Sequence, residues 1–508
     1  MPASIALTGL AANDFTPGNY LEINFAQGAA SLGTAVYAIL ILANRTSAAL
    51  ATPDTVVYGP GANSPLPLVT TTDMINLGGQ GGEAHRMFRR ITNINTITPV
   101  YCVFVTESAG AAALQAVTFT GAATANGSVR TYIGDEFVDT AITNGDTAIA
   151  IAANVSSSIN SKLDWAVTAA NGGLAICTIT AKQKGLRGNW LRGSSVVLGT
   201  GVGTTSSVTA QLFFTGGTTA DSNVAALATI LPSRFYYIVS AAEDATQLGA
   251  VASQVNTQAL PTVGIRQRVV GGSVDTSGNA TTIATGLNNA RAELIWMQNS
   301  DWTPSELAAN SAAIYALGEA QTVIRVNYDG YGNDPVSQAT WKVPYPRSGT
   351  SPTRATIKAA LNNGLTPIGI NANGSTYLVA RITTRSLSGT NNDYRIRDAH
   401  KVSICDFYGD DLLNKFALQF SGKKIAADPL PGQRIPGNDV VTQRIAKAAI
   451  NKLTSDYGDK FLLQNPEQIQ AATIVLIESS PNTRMSAKIP LQTIDLLHQF
   501  ALSIDQVA

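Results

Sequence analysis

The side chains that could do chemistry are few in this chain and lie far apart. The segment Gly78-Gly79-Gln80-Gly81-Gly82 stands before a predicted helix, where backbone N–H groups could cradle a phosphate. It lacks the Lys-Ser/Thr of a P-loop and the spacing of a dinucleotide fingerprint, so a flexible turn is the favoured interpretation. The adjacent Asp410 and Asp411 could form a paired-carboxylate site. Neighbouring helical residues point in different directions, however, which favours a solvated helix face.

The spacing of the histidines, cysteines and serines does not indicate a metal site or a catalytic nucleophile either. His85, His400 and His498 are the only histidines, and none stands at metal-ligand spacing from another His or a Cys. No Gly-x-Ser-x-Gly elbow marks a nucleophile. Because the cysteines are odd in number and stand among apolar residues, we expect buried thiols in a reducing compartment. These are Cys102, Cys177 and Cys405. We therefore expect no enzyme activity, no metal site and no cofactor.

The composition indicates a chain of several domains that associates readily. At 508 residues it exceeds what one hydrophobic core usually supports. Lys plus Arg and Asp plus Glu are 34 each, so the net charge is zero and no general attraction to nucleic acid or anionic membranes is expected. Charged residues make up 13%, which favours a weakly charged surface that is covered by copies or partners. We expect neither a signal peptide nor a membrane span.

Two stretches, 31–116 and 218–370, predict one discontinuous α/β core. Val36–Ala43 and Val100–Val105 are nearly continuous apolar runs, typical of strands buried on both faces. Strands that alternate with helices indicate a mostly parallel or mixed sheet. Further predicted strands are Phe235–Val239, Val263–Val270, Leu294–Met297 and Val323–Val326, and predicted helices are Glu83–Ile91, Ala245–Val255, one after Thr281, and Thr303–Leu317. The last helix has a capping box with proline at its first position.

Residues 117–217 predict a mainly-β domain inserted into this core. Short alternating runs rich in Thr, Val and Gly surround one helix, which begins near Asp146. That helix carries Ile151, Val155 and Ile159 on one face, at a spacing of four.

Residues 371–494 predict an α+β C-terminal domain, because the density of charged residues rises there. The predicted elements are a strand at Tyr377–Thr383, a helix with the apolar stripe Cys405, Tyr408, Leu412, Phe416 and Phe420, a helix at Val440–Tyr457, and a hairpin of Thr473–Glu478 with Met485–Leu491. The second helix turns Arg444 and Lys447 outward.

Each end of the chain predicts a lone strand, within arms at 1–30 and 495–508. The alternating apolar residues are Leu21, Ile23 and Phe25, next to Tyr20, at one end and Phe500, Leu502 and Ile504 at the other. A terminal strand must pair inside its own subunit or be donated to a neighbour.

Several motifs, taken in order, resemble the contractile tail sheath proteins of Mu-like, myovirus-type bacteriophages. They are Pro17-Gly18-Asn19-Tyr20-Leu21-Glu22-Ile23, the inserted segments Gly145–Ile159 and Thr178–Asn189, Thr383-Thr384, Asp393-Tyr394-Arg395-Ile396 and Ser480-Pro481-Asn482-Thr483-Arg484. Asn19 departs from the family, which usually has an aliphatic residue there.

The resemblance implies a structural virion protein without catalytic residues or cofactors. Its copies would stack as six-fold rings around a tail tube and contract, which drives the tube through the host envelope during genome delivery. The implied partners are further copies, the tail tube protein, and the baseplate and tail terminator proteins, without direct nucleic-acid contact or membrane insertion. The implied location is the phage tail, assembled in the host bacterial cytoplasm.

The resemblance also implies that the arms are exchanged between subunits. The donated residues would be Tyr20, Leu21, Ile23, Phe25, Phe500, Leu502 and Ile504. The receiving sheet edge would include Ile474, Leu476, Met485 and Ile489, and Arg444 and Lys447 would face the tube. Two alternatives stay open: an exported adhesin or surface-layer protein, which suits the low charge, and a cytosolic α/β enzyme, which suits the core.

Overall fold

The computed structural model describes residues 38–46, 51–231, 233–321, 343–371, 373–393, 395–430, 437, 439–479 and 483–495. The predicted terminal strands at 20–25 and 500–504 and the strand at Val323–Val326 lie outside these residues. The described part confirms an α/β chain that also contains antiparallel sheets.

The strands, numbered in chain order, are β1 (Ile39–Asn44), β2 (Val100–Val105), β3 (Ala112–Thr120), β4 (Gly127–Ile133), β5 (Glu136–Ile142), β6 (Val167–Ala170), β7 (Ile176–Lys184), β8 (Arg192–Leu198), β9 (Thr205–Ser206), β10 (Leu212–Phe213), β11 (Tyr237–Ser240), β12 (Arg268–Ser273), β13 (Ala292–Trp296), β14 (Thr366–Ile370), β15 (Thr376–Leu378), β16 (Leu387–Ser388), β17 (Asn391–Asn392), β18 (Lys424–Ile425), β19 (Val440–Val441), β20 (Ile474–Ile477) and β21 (Met485–Lys488).

The helices are α1 (Thr71–Gly78), α2 (Glu83–Thr92), α3 (Ala148–Asn160), α4 (Val224–Ile230), α5 (Ala245–Gln258), α6 (Ser277–Leu287), α7 (Pro304–Gln321), α8 (Arg354–Asn362), α9 (Ala399–Phe420), α10 (Gln443–Gly458) and α11 (Pro466–Ala472). A 3₁₀ turn covers Leu186–Trp190.

A seven-stranded sheet in the order β15-β14-β13-β12-β11-β1-β2 forms the centre of what we call the sheet body, together with α1, α2 and α4–α8. Its strands are parallel except β15, which runs antiparallel to β14. Alternate residues of β1 face opposite helical layers: Ile39 and Ile41 pack with α1, α2 and α7, whereas Leu40 and Leu42 pack with α4 and α5. Burial on both faces explains the continuous apolar run of this strand.

Helix α7 begins where the capping signals predict. The backbone N–H and the hydroxyl of Thr303 both donate to Glu306 Oε2, at 3.1 and 2.9 Å. Pro304 is the first helical residue, where its missing N–H costs nothing.

Residues 112–215 form two antiparallel four-stranded sheets, which we call the insert. Their orders are β10-β8-β4-β5 and β6-β7-β3-β9. Helix α3 buries Ile151, Val155 and Ile159 against them, in an apolar cluster separate from those of the sheet body. The limits 117 and 217 stay a prediction.

The C-terminal body consists of α9–α11 and the antiparallel pair β20–β21. Helix α10 buries Ala446, Ile450, Leu453 and Tyr457, the stripe that the sequence predicts.

Three predicted elements differ in the structure. Strand β12 begins at Arg268 rather than 263, because a turn at Leu260–Gly264 follows α5, with Gly264 at φ +73°. Helix α6 begins at Ser277, where Thr276 caps it. The predicted strand Tyr377–Thr383 is wrong: β15 ends at Leu378 and pairs with β14, so it belongs to the seven-stranded sheet. The predicted domain limit at residue 371 therefore lies between two paired strands.

Candidate assembly surface

The hairpin of β20 and β21 is a two-stranded sheet in the C-terminal body. Its register pairs Val475 with Ala487 and Ile477 with Met485, and no third strand joins it among the described residues. A two-stranded ribbon is marginal by itself, so packing against the helices of the C-terminal body must support it.

The four residues predicted for the receiving edge point to opposite faces of this ribbon. Met485 and Ile489 pack against the apolar cluster of the C-terminal body, although Ile489 lies just beyond the end of β21. Ile474 and Leu476 alternate with Val475 and so face away from this cluster, with Ile474 49% exposed. Exposed Ile474 is available for contact, whereas the inward pair holds the ribbon in place.

The backbone pattern shows which groups face outward along the edge. The N–H of Glu478 donates to the carbonyl of Arg484, the residue opposite it. Hydrogen-bonded and non-hydrogen-bonded pairs alternate in an antiparallel ladder, so Ile477 with Met485 and Val475 with Ala487 are the non-hydrogen-bonded pairs. The backbone groups of Ile477 and Val475 thus point away from β21, and those of Met485 and Ala487 point away from β20. The carbonyl of Val475 already accepts from Gln443 Nε2 at 3.4 Å.

The chain beyond the hairpin returns to its own subunit up to the end of the described residues. Thr493 pairs with Leu463 as an antiparallel bridge, and the N–H of Ile494 donates to the carbonyl of Leu462. Asp495 forms an ion pair with Lys401 of α9. The predicted C-terminal arm starts at this ion pair.

Arg444 and Lys447 lie in the first turns of α10, three positions apart and so on one side of the helix. Arg444 is exposed, and its backbone N–H donates to Asp428 Oδ1 at 3.0 Å. Lys447 is partly exposed, and that both residues face the tube stays a prediction.

Helix α9 joins the C-terminal body to the sheet body through two different faces. On one face Ile404, Tyr408 and Leu412 belong to the apolar cluster of the C-terminal body. On the other face Asp406 receives a two-pronged bond from Arg291, at 2.7 and 2.8 Å. Both partners of this ion pair are at most 4% exposed.

Asp410 continues this second face, and the predicted solvated position of Asp410 is wrong. Its carboxylate pairs with Arg266 and, at 2.6 Å, with Arg234, both of the sheet body. Asp411 accepts from Tyr457 at 2.6 Å, and its burial and the neighbouring Asp410 raise its pKa to about 6.

A second group of buried charges lies beside α9, within the sheet body. Arg381 donates to Glu293 and Glu319 at 2.8–2.9 Å, and Arg268 pairs with Glu293 at 2.7 Å. The sequence offers one signal for it: Arg268 and Glu293 each stand within an otherwise apolar strand, where a single charge requires a partner.

A scan against protein-family models and a search of curated proteins each give no match. A search of solved structures does find similar chains. Sheath proteins are among them. The sheath tail protein of Desulfitobacterium hafniense has 13% identity and a TM-score of 0.44, with 95% of this chain and 100% of that chain covered. The sheath tail protein of Listeria innocua has 9% identity and a TM-score of 0.48, with 93% and 94% covered.

A third similar structure is the contracted sheath complex of an extracellular contractile injection system. It has 12% identity and a TM-score of 0.45, and covers 97% of this chain and 98% of that chain. At these identities the likeness is distant.

Side chains for other chemistry are sparse in the described part of the chain. It contains no group of three or more His, Cys, Asp or Glu residues that could hold a metal ion. Its three cysteines are free and buried, as predicted, and burial raises the pKa of Cys102 and Cys177. None of its helices is long and apolar enough to cross a membrane.

Proposed function

We propose that this chain is the subunit of a contractile tail sheath, a structural protein without catalysis. The observation that carries the proposal is the β20–β21 ribbon, which has two strands among the described residues, together with the family motif Ser480–Arg484 between them. The other motifs, from Pro17 to Ile396, follow the family order along the chain. The ribbon has edges that can accept a further strand, and each end of the chain is predicted to form a lone strand. The two features are complementary.

The donated arms are residues 20–25 and 500–504 of neighbouring copies, and their favoured site is the outer edge of β21. This edge offers the backbone groups of Met485 and Ala487, whereas β20 already has Val475 bonded to Gln443. Each backbone hydrogen bond adds roughly 0.5–1.5 kcal/mol and each buried apolar side chain about 1.5–3 kcal/mol. A few of each make a link that persists while the subunits rearrange.

The extended sheath is a metastable lattice in this proposal, and contraction repacks the subunits into a lower-energy one without using nucleotide. A gain of about 1–2 kcal/mol per subunit becomes large over a long array because every copy moves. Exposed Arg444 and partly exposed Lys447 face the tail tube, and the insert faces outward as decoration.

The partners and the location follow from the same proposal. Copies stack as six-fold rings on the baseplate and around the tail tube, with a terminator protein at the far end. The assembly belongs to the virion, is built in the host bacterial cytoplasm, and touches neither nucleic acid nor the membrane interior.

Electron microscopy of the purified protein tests this function. We expect hollow, helically striated cylinders from the complete chain and folded monomers after residues 1–27 are deleted. Uniform small particles from the complete chain would contradict the proposal. Unfolding after the deletion would mean that the N-terminal arm belongs to its own subunit.

A pair of proline substitutions tests which edge receives the arm. Ala487→Pro removes an outward N–H of β21 without removing a bond to β20, so it should prevent cylinders while the monomer stays folded. Ile477→Pro removes the equivalent outward N–H of β20, and this variant should form more cylinders than Ala487→Pro. Cylinders at the normal yield from Ala487→Pro would exclude β21 as the receiving edge.

A further inference from the structure

The seven-stranded sheet has a topological switch point, and open α/β sheets usually bind ligands in the crevice at such a point. The chain leaves β1 for β2 on one side and later returns to the other side of β1 as β11. The strand order therefore reverses between β1 and β11, and the crevice lies beyond their last residues, Asn44 and Ser240. Such a switch point at the carboxyl ends of strands is the common ligand site of this architecture.

Two carboxylates line this crevice almost without access to water. Glu83, the first residue of α2, and Asp221, just before α4, have side chains that are 2% and 1% exposed. Asn44 at the end of β1 holds both: its side-chain amide donates to Asp221 at 3.0 Å and its backbone N–H to Glu83 at 3.5 Å. Buried carboxylates that stay charged need an opposite charge nearby.

The cation in the crevice comes from the insert. Arg187, in the 3₁₀ turn after β7, donates through Nη1 to Glu83 and through Nε to Asp221, and its side chain is 5% exposed. Nη1 also approaches the carbonyl of Ala241, which follows β11, at 3.4 Å. A planar guanidinium can meet several acceptors at once, which an ammonium group cannot do in the same geometry.

The surrounding charges fit this arrangement. Although burial lowers the pKa of Arg187, the carboxylates of Glu83, Glu243 and Asp221 outweigh it and raise that pKa. Burial raises the pKa of Glu243, with Arg187 as the opposing charge. The crevice therefore holds a monocation between carboxylates from the sheet body.

We infer that Arg187 is an internal ligand and that the switch-point crevice is a guanidinium site, which the insert fills. The contact joins the insert to the sheet body and closes the crevice to other ligands. Nearby contacts add to the same junction, since Glu83 N–H donates to Gln183 at 3.0 Å and Gln80 donates to Asp164 at 2.7 Å. The inference does not depend on sheath assembly.

Chemical rescue of the complete chain tests this inference. Arg187→Gly leaves an empty space between the two carboxylates, so the thermal midpoint should fall. The N–H of Ser108, which donates to Asp221, should exchange at least about tenfold faster. Millimolar methylguanidinium should reverse both effects with a saturating dose dependence, whereas sodium chloride at equal ionic strength should not.

Two further variants serve as controls. Arg130→Gly removes an exposed arginine of the same insert, paired with Asp139, and should show no response to methylguanidinium. The triple variant Arg187→Met, Glu83→Gln, Asp221→Asn removes the charges on both sides and should fold without responding. An equal response of Arg187→Gly and Arg130→Gly, restoration by sodium chloride, or a response of the triple variant would overturn the inference. The inference would also be overturned if neither variant folds, that is, if Arg187→Gly stays unfolded with methylguanidinium and the triple variant is unfolded too.

Discussion

Asp406→Asn should be among the most destabilising single changes in the chain, although it replaces one oxygen by nitrogen. Asp406 is completely buried and accepts from both terminal nitrogens of Arg291, at 2.7 and 2.8 Å, and from the Tyr236 hydroxyl at 3.2 Å. The asparagine leaves the charge of Arg291 buried without a counter-charge. In the native chain burial lowers the pKa of Arg291, but the Asp406 carboxylate outweighs burial and raises it, so the variant loses the group that favours the charged form.

The expected cost follows from the burial of both partners. Removal of one partner of a buried ion pair costs about 3–5 kcal/mol. A domain of the size of the sheet body loses roughly 2–4 °C of thermal midpoint per kcal/mol, so the midpoint should fall by about 10 °C. Differential scanning calorimetry measures this shift, and near-UV circular dichroism follows the packing of the tyrosines beside it.

Asp139→Asn is the matched control, because Asp139 and Arg130 form a similar two-pronged pair at 2.7 Å on the surface of the insert. An exposed pair adds little, so this midpoint should hardly move. The double variant Asp406→Leu, Arg291→Met should recover most of the stability, since apolar residues can replace a buried pair. If Asp406→Asn costs no more than Asp139→Asn, burial does not set the strength of these pairs.

Three other changes have definite signs. Burial lowers the pKa of His400 to about 4, so its protonation favours the unfolded state, and the free energy of unfolding should fall by about 3 kcal/mol as the pH drops from 6.5 to 4. Urea unfolding measures this change, and the His400→Gln variant should lack it. Burial raises the pKa of Glu306, but nearby arginines outweigh it and hold the pKa at about 2. Glu306→Gln should therefore lower the free energy of unfolding at pH 7. The difference from the native chain, measured by urea unfolding, should shrink below pH 4.5. A Cβ at Gly364, where φ is +81°, would lie 2.5 Å from the carbonyl of Thr384, so Gly364→Ala should lower the thermal midpoint, whereas Gly249→Ala in the open middle of α5 should raise it.

Local signals explain which elements the sequence predicts correctly. Strand β2 is a continuous apolar run, helices α3 and α10 have uninterrupted periodicity, and α7 has its capping residues, so neighbours in sequence decide these elements. Strand β15 depends on pairing with β14, and an edge strand of three residues has no pattern of its own. The predicted limit at residue 371 lies between these two paired strands, and where the C-terminal domain begins stays a prediction.

Distant partners explain what the sequence does not reveal about the assembly surface. Asp410 looks solvated because its partners, Arg266 and Arg234, stand 144 and 176 residues away. The hairpin is predicted from its apolar residues and turn, but the face of Ile474 and the role of Gln443 depend on how the ribbon packs on α10. Whether the arms are exchanged stays a prediction.

The two faces of α9 have a mechanical consequence. One face of α9 packs its apolar residues in the C-terminal body, and the other face bonds its carboxylates to the sheet body. The two bodies are therefore joined by a shared helix and not by a flexible linker. A helix of 22 residues is about 33 Å long and stiff. A pull on the β20–β21 ribbon should therefore reach Arg291, Arg266 and Arg234 of the sheet body through α9, without a hinge to absorb it.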